Sequence, residues 1–368
     1  MQKLNNFLYL IKKYGILFII ALIISIPLIH VCTTKTNYEF IVKGDTVKFN
    51  SIIEVEDAYK EEGSFSTVYV TSLEHSTIFQ NWFQRFDKES DKVKMSKAEI
   101  SYSSKESARI SKIQYAQSVT NAIILAYTEA QKENDSINID YEYMGYYFTY
   151  KVNDTNINIG DRLYGIKLKD SEDIIYYNNP EYPTIYKKSN VGDTYLIKKY
   201  KSIDDFNIIT EDDYYEYVLT DKDFRKEESN GVIKTYRNYS YTECYDVKRE
   251  SLKPSVNYNK TSTGGPSGGL MQALSIYNAL TPKDITYGYK IAGTGTINIK
   301  GNVGAIGAVK QKIPTAIDNN IKIFLCPSKN YDDAYDAYMN NINRKRMKLY
   351  KIETFYDAIK CLKEFENE

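Results

Sequence analysis

The feature that most constrains this chain is an apolar run close to its start. The run reads GILFIIALIISIPLIHV from Gly15 to Val31, and only Ser25 and His30 in it are polar. A helix of about 17 residues is the lower limit for crossing a hydrocarbon core of ~30 Å. The run therefore predicts a single transmembrane helix, to which the rest of the chain is tethered.

The charges around this run predict its orientation. Lys3, Lys12 and Lys13 precede it, and the first acidic residue of the chain is Glu39. The positive-inside rule then leaves the N-terminus in the cytoplasm and the remainder of the chain outside the cell. A cleaved signal peptide is the alternative, but the run is followed by no small-x-small cleavage site, and Cys32 lacks the small residues of a lipoprotein site. We therefore expect a retained single-pass anchor in the cell membrane.

Composition excludes several classes of function. Lys plus Arg (48) equal Asp plus Glu (48), without a concentrated basic stripe, so nucleic acid is not an expected partner. The chain has only two histidines, and a histidine-based triad would depend on His75 alone because His30 lies in the apolar run. A P-loop string, GxxxxGK[ST], does not occur, and no cofactor is expected. Any hydrolase here needs a base other than histidine.

The cysteines do not indicate a metal site. Their spacing contains no CxxC pair, so no metal is expected. The four positions are Cys32, Cys244, Cys326 and Cys361. The sequence leaves a bridge between Cys326 and Cys361 open, with buried thiols as the alternative.

Helix and strand patterns divide the chain into four parts. Alternating stretches such as Ser64–Ser72 predict strands, and Lys105–Lys132 has apolar residues at helical spacing. Short strands return from about Ile137, and a Gly-rich passage runs from Gly264 to Gly307. We expect an α+β protein with a tail and anchor (1–34), a strand and helix region (35–136), a β-rich domain (137–225) and a C-terminal domain (226–368).

The Gly-rich passage begins with a candidate nucleophile. Glycines flank Ser267 in GGPSGGLMQALSIYNAL, and an apolar, helix-forming run follows it. The pattern places Ser267 at the start of a helix, where free backbone N–H groups suit an oxyanion. Alone, a glycine-flanked serine at a helix start is more often a purely structural cap.

A lysine about 45 residues later could supply the base. The passage GTGTINIKGNVGAIGAVKQKIPTAI predicts a strand, a glycine turn and a helix start, and it contains Lys310 and Lys312. A lysine base must be neutral, so its pKa has to fall from ~10.4 toward 7, at a cost of ~4–5 kcal/mol. Burial can produce that shift. The apolar residues around Lys312 favour it, and Lys310 is the other candidate.

Together the two passages resemble the proteolytic domain of the Lon protease family. The matching motifs are a GPSAG-type serine, a TG(E/T)I strand and a G-x-V-x-x-I-G-G-(I/L)-x-x-K lysine. The resemblance implies that Ser267 is the nucleophile, Lys312 the general base and Thr294 the residue that orients the lysine. It also implies that the backbone from Pro266 to Gly268 forms the oxyanion hole.

The whole layout resembles the secreted PDZ–Lon-like endopeptidases of Gram-positive-type bacteria. The resemblance implies a degenerate PDZ-like domain in which Gly145, Tyr146 and Tyr147 bind peptide; a β-rich spacer is the alternative. It also implies an ATP-independent, membrane-anchored serine endopeptidase that cleaves exported peptides or unfolded segments outside the cell. Assembly into a homo-oligomer is left open.

Departures from the family motif suggest a competing function. Gly268 replaces an alanine, and Ala305 and Ala308 replace a proline and a glycine in the turn before the lysine. A displacement of ~1 Å in a catalytic site can lower the rate about a hundredfold. The alternative is therefore a catalytically impaired, membrane-anchored scaffold that binds peptides. A signal-peptidase-like enzyme is not favoured, because residues 33–72 contain no lysine-bearing motif of that kind.

Overall fold

The computed structural model of the chain describes residues 2–87, 89–152, 156–204, 206–229, 232–259 and 264–366. These residues divide into two compact units, drawn from Met1–Val42 with Thr71–Ser96 and from Lys43–Val70 with Lys97–Glu368. The first unit holds the predicted anchor. The second holds every residue predicted to take part in catalysis or peptide binding.

A long apolar helix, α1 (Gln2–Thr33), dominates the first unit. Its segment Lys13–Thr33 has a mean hydropathy of 2.7 and is not buried by the rest of the protein. The unit also contains a short helix, α2 (Ile78–Phe83), and strand β4 (Asp91–Lys94), which pairs antiparallel with the first residues of β1 (Tyr38–Lys48). The predicted apolar run thus forms a helix that is long and apolar enough to cross a membrane, a property that signal sequences share.

A mostly parallel sheet forms the centre of the second unit, in the order β18-β17-β14-β3-β1. The bounds are β3 (Ser64–Leu73), β14 (Lys290–Gly293), β17 (Ile323–Pro327) and β18 (Lys348–Ile352). These four strands are parallel to one another. Every residue of β17 is buried, as expected for a parallel strand that is covered on both faces.

Helices cover both faces of this sheet. Successive side chains of a strand point to opposite faces, so Ile291 packs into one hydrophobic core and Ala292 into the other. The first core contains α4 (Ser104–Gln131), α6 (Gly269–Leu280) and α9 (Phe355–Lys363), and the second contains α7 (Val309–Asp318) and α8 (Tyr331–Asn340). Helices α6 and α7 therefore approach the sheet from opposite faces.

A second, antiparallel sheet has the order β12-β5-β6-β8-β9, with β7 added to β6. The bounds are β5 (Tyr141–Lys151), β6 (Arg162–Lys167), β7 (Ile174–Tyr176), β8 (Thr194–Asp204), β9 (Asn207–Val218) and β12 (Tyr239–Val247). A helix, α5 (Tyr182–Lys188), packs on one face through buried tyrosines, among them Tyr186 against Tyr146 and Tyr195. Tyrosine side chains thus form a large part of the core of this sheet.

Short elements complete the second unit. They are β2 (Ile53–Val55) paired with β13 (Val256–Tyr258), the hairpin of β10 (Phe224–Ser229) and β11 (Val232–Arg237), the hairpin of β15 (Thr296–Ile297) and β16 (Val303–Gly304), and α3 (Lys97–Ser101). A capping box between Ser103 and Glu106 starts α4. The predicted helix Lys105–Lys132 matches α4 to within one residue at each end.

Helices and strands are mixed, as predicted, but the parallel sheet was not anticipated. Strand β3, which the sequence assigns to region 35–136, pairs with β14 of the predicted C-terminal domain. The domain boundaries after residues 34, 136 and 225 stay predictions. All four cysteines are free thiols, so Cys326 and Cys361 are not bridged.

Candidate active site

Ser267 lies in the glycine turn that leads into α6. Gly265 has a φ of +79°, a backbone conformation that glycine adopts without strain. The Ser267 carbonyl accepts two hydrogen bonds, from the Gly295 amide at 2.7 Å and from Thr294 Oγ1 at 3.0 Å. Both donors follow directly after β14. The turn is therefore held at the carboxyl end of that strand, where parallel sheets commonly place their sites.

Lys312 reaches Ser267 from α7, on the opposite face of the sheet. Its Nζ donates to the Val68 carbonyl at 2.7 Å, to Ser267 Oγ at 3.1 Å and to Thr294 Oγ1 at 3.2 Å. The side chain is only 2% exposed. Three oxygen acceptors therefore fix the position of the amine beside the serine hydroxyl.

Burial also sets the protonation of this amine. Removing Lys312 from water disfavours its charged form and lowers its pKa from 10.5 to about 8. The three acceptors are a carbonyl and two hydroxyls, none of which carries a negative charge to stabilise the ammonium form. A substantial neutral fraction near pH 8 is what a general base for a serine requires.

Lys310, the other candidate base, points away from the site. Its side chain lies on the exposed side of α7, directly after Val309 in sequence, and its Nζ is 3.2 Å from Asp333 Oδ1. Both side chains of that ion pair are more than half exposed. Since buried residues of α7 recur at Val309 and Lys312, helical spacing separates the two lysines onto different faces.

The predicted oxyanion residues differ in what they can donate. Pro266 has no N–H; its carbonyl accepts from the Gly269 amide at 3.3 Å and from Ser118 Oγ at 3.2 Å, and so shapes the turn. Within the described part of the chain, the amides of Ser267 and Gly268 have no hydrogen-bond acceptor. These two N–H groups, at the start of α6, are available to an incoming oxygen.

The turn before α7 carries the substitutions noted in the sequence. Ala308 has a φ of +58°, so it occupies the left-handed conformation that favours glycine. Ala305 is exposed. The Asn330 side chain spans the turn: its Nδ2 donates to the Ile306 carbonyl, and its Oδ1 accepts from the Ile306 amide, both at 2.9 Å. Two hydrogen bonds from one side chain thus hold the turn around a strained alanine.

Sequence reasoning missed three groups that build the site. They are the Val68 carbonyl from β3, the Ser118 hydroxyl from α4 and the Asn330 amide. None lies in a motif, and all reach the site through tertiary contacts. The only sequence signal was the strand alternation around Val68, which says nothing about its partner strand.

A polar cleft opens beside the turn. Its volume is about 460 Å³, and Pro266 is the turn residue that lines it. Uncharged polar side chains dominate the other walls, namely Gln114, Gln117, Ser118, Asn121, Thr149, Thr242, Thr296, Asn298 and Asn302. Amide and hydroxyl groups of this kind can hydrogen-bond an extended peptide backbone.

The predicted peptide-binding residues lie in the second sheet, where Tyr146 lines a neighbouring cleft that shares Asn121 and Thr242 with the first. Gly145, Tyr146 and Tyr147 belong to β5, which is paired with β12 along this stretch. On its other side, Tyr146 and Tyr147 pair with Leu163 and Arg162 of β6. The two tyrosines therefore lie inside the sheet rather than on a free edge where a peptide strand adds. Peptide binding by these residues stays a prediction.

Comparison with known proteins agrees with the geometry. Residues 243–363 match the family model for the Lon protease (S16) C-terminal proteolytic domain. Similar proteins include the Lon protease of Campylobacter concisus (strain 13826), which is 35% identical over 120 residues, or 32% of this chain and 14% of the relative. The Lon protease of Mesomycoplasma hyopneumoniae (strain 232) is 40% identical over 92 residues, or 25% of this chain and 10% of the relative.

A third relative gives a longer alignment. The Lon protease of Paraburkholderia phytofirmans (strain DSM 17436 / LMG 22146 / PsJN) is 26% identical over 136 residues, or 37% of this chain and 16% of the relative. The chain thus spans about a sixth or less of the length of these relatives. Over residues 243–363 the chain is similar to the C-terminal proteolytic domain of the Lon proteases, a serine peptidase family.

Proposed function

We propose that the chain is an ATP-independent, membrane-anchored serine endopeptidase with Ser267 as nucleophile and Lys312 as general base. The observation that carries the proposal is the 3.1 Å contact between Lys312 Nζ and Ser267 Oγ, made by a lysine that is 2% exposed. A buried amine with a pKa of about 8 can be neutral at working pH, and a neutral amine can accept the hydroxyl proton.

The proposed reaction begins with acylation. Neutral Lys312 takes the proton of Ser267 Oγ while Oγ bonds to the carbonyl carbon of the scissile peptide, and the C=O π electrons move to oxygen. The amides of Ser267 and Gly268 donate to that oxyanion. The Lys312 ammonium then gives its proton to the leaving nitrogen as the C–N bond breaks, which leaves an ester on Oγ.

Deacylation repeats these steps with water. Lys312 takes a proton from water while the water oxygen bonds to the ester carbon. The tetrahedral intermediate then expels Ser267 Oγ, which receives the proton from Lys312, and the carboxylic acid product leaves. Thr294 accepts a hydrogen bond from Lys312 and donates one to the Ser267 carbonyl, so we assign it the role of orienting the amine.

The cleft beside Pro266 supports peptides or unfolded segments as substrates, because its polar walls can hold an extended chain. The proposal of ATP independence depends on the sequence, in which no P-loop string occurs. The PDZ-like role of the second sheet and assembly into a homo-oligomer are parts of the proposal that the family resemblance supports. The family resemblance and the charges before α1 also support a single-pass topology with the catalytic part outside the cell.

Substitution of the two reacting residues tests the proposal. The full chain, purified in detergent, should cleave an unstructured peptide library, and both Ser267→Ala and Lys312→Met should lose at least a thousandfold in kcat/KM. Lys310→Met is the matched control, since that lysine lies on the same helix but faces solvent. If the folded parent chain cleaves nothing, the peptide-binding scaffold becomes the better explanation.

A further inference from the structure

Five large apolar side chains of the first unit are exposed next to one another. They are Ile78, Phe79, Trp82, Phe83 and Phe86, on α2 and the 3₁₀ turn Gln84–Phe86 that follows it; we call them the aromatic platform. Trp82 is 50% exposed and Phe86 is 67% exposed. The Trp82 ring lies 6.1 Å from Phe79 and 5.0 Å from Phe86, centroid to centroid. The rings therefore form one continuous apolar surface.

The inner side of α2 is polar, the reverse of the usual amphipathic arrangement. Asn81 Nδ2 donates to Thr36 Oγ1 at 2.8 Å, and Ser76 Oγ donates to Asn81 Oδ1 at 2.9 Å. None of the six residues of α2 is buried. Helices on the surface of water-soluble proteins direct their apolar side chains toward the protein core. Here hydrogen bonds hold the segment while its aromatic side chains face outward.

These hydrogen bonds tie the platform to the end of α1. The Ile78 amide donates to the Thr34 carbonyl at 3.2 Å, and Thr36 Oγ1 donates to the Ser76 carbonyl at 2.7 Å. Helix α1 ends at Thr33, directly before the first of these partners. The platform is therefore fixed at the point where the chain leaves the apolar helix. In a membrane protein this is the level of the lipid headgroups.

We propose that the aromatic platform binds the lipid bilayer, inserting into the interfacial layer around the exit of α1. Tryptophan and other aromatic side chains favour this layer, and an apolar helix face lying in the interface plane gains affinity from the area it buries. The bilayer is the occupant that the structure favours, because the platform is attached at the end of α1, whose apolar side chains are exposed. The inference depends on the proposed anchoring and adds a second membrane contact to it.

Trp82 makes the inference directly testable, because it is the only tryptophan of the chain. The full chain is reconstituted into phosphatidylcholine vesicles, and its fluorescence is quenched either by acrylamide from water or by lipids brominated at different depths. We expect lipids brominated near the headgroup to quench several times more strongly than lipids brominated near the terminal methyl. We also expect several times less quenching by acrylamide than for the chain unfolded in urea.

A double variant and a matched control sharpen the test. Phe79→Ser with Phe83→Ser removes two exposed rings and should restore quenching by acrylamide severalfold. Tyr59→Ser removes an equally exposed ring in the second unit and should change nothing. Peptide cleavage and circular dichroism check that each variant is folded.

The outcomes separate this inference from the anchoring. Flotation of the vesicles after alkaline carbonate reports whether α1 is inserted. A chain that floats while acrylamide quenches Trp82 freely would overturn the inference and leave the anchoring intact. If neither acrylamide nor brominated lipid quenches the fluorescence of Trp82, the ring lies against protein, and that result would also overturn the inference. A chain that does not float would overturn both.

Discussion

The pH dependence of peptide cleavage should report the ionisation of Lys312. Burial lowers the pKa of this lysine to about 8, and only the neutral amine can accept the proton of Ser267. At a pKa of 8, the neutral fraction is about 9% at pH 7 and about 91% at pH 9, from the ordinary titration equation. We therefore expect kcat/KM to rise about tenfold between pH 7 and pH 9 and then level off.

The assay is an unstructured fluorogenic peptide cleaved by the full chain in detergent, with kcat/KM measured from pH 5.5 to pH 10. The peptide should lack groups that titrate in this range, so that the profile belongs to the free enzyme. A plateau already reached at pH 7, or a limb near pH 6.5 where histidine titrates, would refute the lysine base. The Lys310→Met variant should give the parent profile, since that side chain is exposed and paired with Asp333.

Three further predictions concern stability, each measured as urea unfolding of the full chain in detergent. The Lys312 amine binds a proton less readily in the folded chain than in the unfolded chain. Between pH 7 and pH 10, the free energy of unfolding of the parent should therefore rise by about 2–3 kcal/mol relative to that of Lys312→Met. Equal slopes of unfolding free energy against pH for the two chains would contradict the burial argument. Ala308→Gly should stabilise the chain by up to about 1 kcal/mol, because it relieves a positive φ, and a loss of stability would show that the turn is not strained. Gly269→Ala should destabilise the chain by about 1–3 kcal/mol, because the added Cβ would lie 3.0 Å from the Ile297 amide nitrogen. Unchanged stability would mean that the β15–β16 hairpin, which contains Ile297, moves freely.

The local parts of the candidate site were readable from the sequence, whereas its assembly was not. The glycine turn, the helix after Ser267 and the burial of Lys312 follow from spacing and apolar neighbours within one helix turn. The parallel pairing of β3 with β14 joins Ser64 to Lys290, and no local pattern specifies a partner that distant. For the same reason, no local pattern indicates that the Val68 carbonyl and the Asn330 amide reach the site.

The second sheet shows which details the sequence does not specify. The strands around Tyr146 were expected, since alternating apolar residues predict them. Their order in the sheet depends on long-range pairing, and it places β5 between β12 and β6. At Tyr146 and Tyr147 this strand is therefore paired on both sides.

The contact between Lys312 and the Val68 carbonyl joins residues 244 positions apart. In an unfolded chain Lys312 keeps an ordinary pKa of ~10.4, so only about one molecule in 2,500 has a neutral amine at pH 7. The base is therefore created by folding, and only after the ribosome has released residues far beyond β3. On the proposed mechanism, a chain that has not yet folded therefore carries a serine that cannot attack, and folding itself limits the self-cleavage of nascent chains.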